Sequence, residues 1–196
     1  DFPQPLTLED KITIFVERTW GWQLDIADQC INGQENANGN KCREPIPDSG
    51  FAVLFILLSY FEMIAKFQDG FDQTGECGDY FKKGIHLVFP SLKSYSATVV
   101  DPLLNILYGE GRCGLYHSGF TGGSISVTGE IRETMIFDPQ SKRLIINPHK
   151  LPGELKAHLK KYEQQLRDPS NVELHKKFEQ GFDYQSRVNA TSRVRR

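Results

Sequence analysis

Apolar residues recur every four positions near the start of the chain, at Ile12, Val16 and Trp20, and Leu24, Ala27 and Ile31 continue the stripe. That spacing predicts a helix. It opens at Leu8 behind Thr7, whose hydroxyl can cap it, with Asp10 in the first turn. Gly21 and Trp22 interrupt the stripe, so a bend is expected there. From Asn32 to Gly50 the chain turns polar and rich in Asn, Gly and Pro. Such a stretch cannot pack a core and reads as a mobile or functional loop. Phe51 to Phe67 is the most apolar segment and has almost no polar face, which predicts a central helix. A Gly- and Asp-rich turn is expected over Asp69 to Asp79, then a shorter helix over Tyr80 to Phe89, halted before Pro90. Ser91 to Ala97 reads as a linker.

Thr98 to Tyr116 reads as helix again, with Asp101 as a cap and Pro102 in a first helical turn. Gly109, Gly111 and Gly114 weaken it, each by about 1 kcal/mol relative to Ala, and place a kink or break near Tyr108 to Gly111. The period changes at Gly119. Ile125 with Val127, Met135 to Phe137, and Leu144 to Ile146 are short β-type runs. Asp138-Pro139-Gln140-Ser141 supplies the turn of a hairpin between the last two. Leu155, Leu159, Tyr162 and Leu166 then give a helix over Pro152 to Arg167, and Asp168-Pro169-Ser170 separates it from another over Asn171 to Tyr184.

The predicted fold class is therefore mainly α, a helical bundle with a small antiparallel β-hairpin or sheet insertion. The chain reads as a single domain over 1–196. Its bundle core covers 7–119, the β insertion 120–150, the C-terminal helices 151–186 and a basic flexible tail 187–196. Arg187, Arg193, Arg195 and Arg196 make that tail basic.

Composition narrows the classes of function. Among 196 residues, 23 Lys and Arg face 25 Asp and Glu. A chain-wide polyanion binder is usually basic, so any nucleic-acid contact must be local. The longest apolar run, Phe51 to Leu58, falls short of the about 20 residues a membrane span needs, and no membrane partner is expected. Cys30, Cys42, Cys77 and Cys113 are scattered, with no CxxC pair to frame a zinc site. The reading is a cytoplasmic chain with reduced thiols and no metal or cofactor. Phosphate-loop, His-Glu-x-x-His, Gly-x-Ser-x-Gly and calcium-loop signatures are all absent.

One constellation remains, Arg112-Cys113-Gly114-Leu115-Tyr116-His117. A guanidinium can hold a phosphate through two donors, and an imidazole can move a proton near neutral pH. Together they suffice to cleave RNA without a metal. The 2′-hydroxyl is the nucleophile, His assists proton transfer, and Arg stabilises charge in the transition state. On an ideal helix, residues five apart lie about 1.4 turns from each other and point obliquely away. Convergence needs a curled Arg, a bend at Gly114 or a second copy of the chain.

The pair resembles the Arg-x4–6-His motif of the HEPN superfamily, small helical domains that include metal-independent ribonuclease toxins. The resemblance covers Leu8 to Gly119 in helix order and Arg112 to His117 in motif. It implies a bundle of four or five helices and a homodimer whose two copies build one composite site on RNA. Arg112 is then the phosphate-binding residue and His117 the acid/base. It also implies a bacterial toxin–antitoxin or defence setting, with an antitoxin or another protein as partner. The chain departs from the family at Cys113, where a polar residue, often Asn, is common.

Other readings stay open. His117 could be a cation favourable to a helix C-terminus, and Arg112 a surface ion pair with Glu110 or Glu133. Arg143 and His149 meet the same spacing inside the β region. His86 reads as structural, while His149, His158 and His175 read as exposed. Trp20 and Trp22 read as core. Gly119 to Gly123 reads as a plain turn. Asp69, Asp72, Glu76 and Asp79 cluster without matching a calcium loop. Against the nuclease stands a catalytically inactive helical interaction module, with Asn32 to Gly50 and the β insertion as its partner surface.

Overall fold

The computed structural model describes residues 5–71 and 76–193, with side chains as far as 186. Helix α1 spans Leu8–Thr19. Thr7 and Asp10 cap it reciprocally: the Thr7 hydroxyl accepts from the Asp10 amide, and the Asp10 carboxylate accepts from the Thr7 amide at 2.9 Å. The interruption at Gly21 and Trp22 is a π-helical turn, Trp20–Leu24, rather than a break, and α2 follows over Asp25–Asn32. The extra residue of a π turn rotates the apolar stripe. Leu24 is buried as a result, while Trp22 is 72% exposed and Trp20 partly exposed. The expectation that both tryptophans are core is corrected on that ground.

The polar stretch after α2 holds a small antiparallel hairpin, β1 Gln34–Glu35 with β2 Lys41–Arg43. All its residues are exposed, so no alternation marked it in the sequence. Helix α3, Gly50–Asp69, is the centre of the bundle and packs on α2, α4 (Cys77–Val88) and α8 (Val172–Arg193). It closes at Gly70, whose φ of 84° is the left-handed cap that glycine adopts freely. At 20 residues, α3 is long and apolar enough to cross a membrane, which corrects the reading from the eight-residue run alone. Ten of its residues are instead buried in the protein core.

The α3–α4 contact is close because Gly84 has no side chain. A Cβ there would overlap the Phe61 carbonyl. A 3₁₀ turn, Pro90–Ser94, leads to α5, Ala97–Ile106. Helix α5 starts five residues before Pro102, so Pro102 lies inside the helix and not in its first turn. The glycine-punctuated stretch is again π-helical, Leu107–Cys113, and passes into a short α6, Gly114–Ser118.

The insertion is a three-stranded sheet in the order β3-β5-β4, with β3 Ile125–Val127, β4 Met135–Asp138 and β5 Arg143–Ile146. The expected hairpin is β4–β5, and Asp138 ties its turn through Gln140 and Ser141. The sheet is mixed rather than antiparallel, because β3 pairs parallel with β5. Helices α7 (Leu151–Arg167) and α8 close the bundle against α1. The α8 backbone stays helical to Arg193, through the first part of the segment expected to be a tail. Residues 194–196, and Asp72 of the acidic cluster, lie outside the described residues.

His158 corrects another expectation. It is partly buried, and its Nδ1 lies 2.9 Å from the hydroxyl of Tyr60. Burial, helped by nearby Lys161, lowers its pKa from 6.5 to about 4. Burial also keeps the Tyr60 phenol protonated, so that hydroxyl donates to a neutral imidazole. The unfolded chain takes up a proton on His158 near pH 6.5, whereas the folded chain does so only near pH 4. Stability is therefore full above pH 6.5 and falls as pH drops toward 4, by at most about 3 kcal/mol and less where solvent screens the ring. Urea midpoints at pH 7 and pH 4.5 check this, and a His158→Phe variant is expected to lose part of that acid sensitivity.

Candidate functional site

Arg112 sits at the end of the π-helical segment and His117 within α6. Two close approaches set this geometry. Gly111 packs on Ile125 and Leu58, and a Cβ at Gly114 would come within 2.7 Å of the Phe120 carbonyl oxygen. Glu110 fastens the segment to the sheet: its carboxylate accepts from the Ser124 amide at 2.9 Å and the Ser124 hydroxyl at 2.8 Å. The Gly122 amide donates to the Glu110 carbonyl at 3.0 Å. Gly119 to Gly123 is thus the plain turn expected, and Glu110 is not available to Arg112.

The acid that meets Arg112 is Glu62, on α3. This replaces the expected surface pairs with Glu110 or Glu133. Arg112 Nη2 donates to Glu62 Oε2 at 3.1 Å, and Lys66 Nζ reaches Oε1 at 2.5 Å. Side-chain exposure is 11% for Glu62 and 22% for Arg112, so the pair is largely sheltered. Burial opposes the charge on Glu62. Lys66, the Cys77 thiol and Arg112 outweigh it and hold the carboxyl below its ordinary pKa. For Arg112, burial is likewise outweighed, chiefly by Glu62, and the guanidinium stays charged. The Cys77 thiol is pushed up, first by its hydrogen bond to Glu62 and then by burial. Cys113 bonds the Tyr108 hydroxyl, whose pKa is raised by burial and by that thiol. All four cysteines are free.

Arg112 and His117 do not touch each other. Tyr116 stands between them. The Arg112 guanidinium carbon lies 4.9 Å from the centre of the Tyr116 ring, and the His117 ring meets that ring edge-on at 5.4 Å. Tyr116 in turn stacks on Phe55 of α3 at 5.9 Å between ring centres. Tyr116 and His117 are exposed. With Nη2 committed to Glu62, Nη1 and Nε of Arg112 have no partner among the described residues. Glu62 thus orients the guanidinium without using up its donors.

Two surfaces flank the motif. One is a groove of about 400 Å³ between α1, α3 and α8, with Arg112, Lys66, Glu62 and Arg18 on its walls. The other is an aromatic face on which Phe51 and Phe55 border Leu115 and Gly119. Phe51, Phe55, Tyr116 and Phe120 are all exposed, and a patch of large apolar side chains beside polar residues is the usual mark of an interaction site.

The other histidines take no part. His149 is exposed and its Nδ1 lies 2.9 Å from Asn32 Oδ1; Arg143, its motif-like companion, is exposed on β5. His86 is partly buried, as expected of a structural histidine. Among the described residues no group of three or more His, Cys, Asp or Glu is placed to hold a metal ion. Sequence reasoning missed Glu62 and Tyr116. The signal for Glu62 was available, since an acid inside an apolar helix must find a cation, and Lys66 follows at the i,i+4 spacing. Comparisons with protein-family models, with curated proteins and with solved structures give no match to this chain.

Proposed function

We propose that this chain is a HEPN-like, metal-independent endoribonuclease or RNA-binding domain. In this reading it works as a homodimer in a bacterial toxin–antitoxin or defence system, with an antitoxin or another protein as its further partner. The observation that carries the reading is the state of Arg112. Its guanidinium is held by Glu62 on one edge and open on the other, beside a groove with more cations than acids. An open, oriented guanidinium suits a phosphate.

The chemistry follows from the two residues. Arg112 binds the phosphate oxygens of the scissile linkage and stabilises the charge that builds there. A neutral His117 takes the proton of the neighbouring 2′-hydroxyl as its oxygen bonds to phosphorus. The bond from phosphorus to the 5′-oxygen breaks, and that oxygen leaves with a proton from a second, protonated imidazole. The products are a 2′,3′-cyclic phosphate and a 5′-hydroxyl. Within one copy Tyr116 separates the guanidinium from the imidazole, so the second copy supplies the missing neighbour. The exposed aromatic face beside the motif is the surface on which that copy docks.

The second reading, a catalytically inactive interaction module, draws on the same ion pair. If Arg112 serves only to neutralise Glu62 next to α3, its work is structural, and the β1–β2 hairpin and the sheet become the partner surface. RNA cleavage in EDTA by the wild type and His117→Ala separates the two. Loss of about 10²–10⁴-fold in rate, with an unchanged melting temperature, is expected for an exposed acid/base. Equal cleavage by both proteins removes His117 from the mechanism, and no cleavage by either leaves the interaction module.

A further inference from the structure

The groove beside Arg112 is more than a cationic patch. Its walls hold Arg18 from α1, Lys66 and Glu62 from α3, and Arg112, three cations to one acid among the described residues. Lys66 and Arg112 share Glu62. Arg18 has no acidic partner among the described residues and rests over the ring of Trp22 at 5.5 Å. The floor is of the opposite kind, formed by Met63, Phe67 and Phe182. Phe15 packs beneath, with its ring centre 4.5 Å from that of Phe67. Gln185 and Ser186 place hydrogen-bonding groups at the rim, where the Ser59 hydroxyl is already engaged by Ile56 and Gln23.

An apolar floor, a polar rim and a cationic wall in about 400 Å³ match three features by which a nucleotide is recognised: base face, base edge and phosphate. We infer that this groove is a nucleobase pocket, which takes the base of the nucleotide next to the phosphate held by Arg112. The inference rests on the RNA reading above and gives that site its second contact. One end of the groove opens at Arg112. At the other, Ile14 and Arg18 pass into a shallow recess that Glu17 and Trp22 also line, and Trp22 is 72% exposed. An exposed aromatic with a cation above it is a platform for a further base. A site with a phosphate-binding group at one end and a stacking platform at the other suits a nucleotide within a single strand rather than a free one.

The test is fluorescence anisotropy on the full chain in EDTA, with a labelled single-stranded 2′-O-methyl RNA of mixed sequence as probe, which lacks the nucleophilic hydroxyl and stays intact. The variants are Arg18→Ala, Ser186→Trp, which fills the mouth of the groove, and Trp22→Ala. All three positions are exposed, so melting temperatures near wild type are expected. Each variant is expected to weaken RNA binding by about tenfold. Lys93→Ala, an exposed cation outside the groove, is expected to change it by less than about twofold. Free 5′-AMP is expected to bind far more weakly than the RNA. Wild-type affinity in all three groove variants, with RNA binding lost only in Arg112→Ala, overturns the pocket and leaves the RNA reading standing. Equal affinity for 5′-AMP and RNA overturns the assignment to a strand. Absence of RNA binding by the wild type overturns both readings together.

Discussion

Arg112→Ala is expected to slow RNA cleavage by about 10²–10³-fold, the usual cost of removing one charged donor from a developing oxyanion. The fold is expected to survive, because Lys66 remains on Glu62 at 2.5 Å and keeps its charge paired. A loss of about 1 kcal/mol is anticipated, since Arg112 also covers the Tyr116 ring. Arg112→Lys is the more telling variant. A lysine retains the charge but lacks the planar fork that lets a guanidinium hold Glu62 on one edge and a phosphate on the other. It is therefore expected to restore stability and not cleavage. Single-turnover rates beside melting curves check this. Full activity in Arg112→Lys would show that a point charge suffices and that Glu62 has no orienting role.

The largest expected effect on stability lies outside the motif, at Gly84. Helices α3 and α4 make the most extensive contact in the bundle, and a methyl group on Gly84 would run into the backbone of Phe61. Backbone cannot swing aside as a side chain can. Overpacking of this kind costs about 1–3 kcal/mol or more, which outweighs the about 1 kcal/mol that alanine gains over glycine in a helix. Gly84→Ala is expected to lower the melting temperature by several degrees. Gly153, in the first turn of α7, has open space around its Cα, so Gly153→Ala is expected to raise it. Opposite signs for one chemical change, read by circular dichroism melts, test the packing of α3 on α4 directly. A stabilised Gly84→Ala would contradict it.

Much of the helical order was legible because burial imposes a period. Leu155, Leu159, Tyr162 and Leu166 of α7 are buried where that period puts them, and α3 buries ten of its residues, whereas of the α1 stripe Ile12 is buried, Val16 half-buried and Trp20 exposed. The two irregular places were legible as well, since glycines in an apolar helix weaken it, and both turned out to be π-helical. What escaped has physical causes. A π turn shifts the phase of a stripe by one residue, so the exposure of Trp22 could not be read from spacing. The β1–β2 hairpin buries no face and left no alternation. Short apolar runs such as Ile125 to Val127 do not encode their partner, and the parallel pairing with β5 stayed hidden.

At the motif, the sequence offered Arg112 and His117 but not what lies between and behind them. Tyr116 was visible as the residue before His117, yet only the turn from π-helix into α6 sets it as a spacer. His158 could have been foreseen as partly buried. It lies three residues after Leu155 and four before Tyr162, at the edge of the α7 stripe.

The most direct measurement for the central claim is the chemistry of the RNA ends left by the wild-type protein in EDTA. Under the proposed mechanism, with a 2′-hydroxyl as nucleophile and imidazoles moving the protons, cleavage is expected to leave 2′,3′-cyclic phosphate on one fragment and a 5′-hydroxyl on the other. Fragments ending in 3′-hydroxyl and 5′-phosphate would require water to attack from outside the ribose, and would contradict the account.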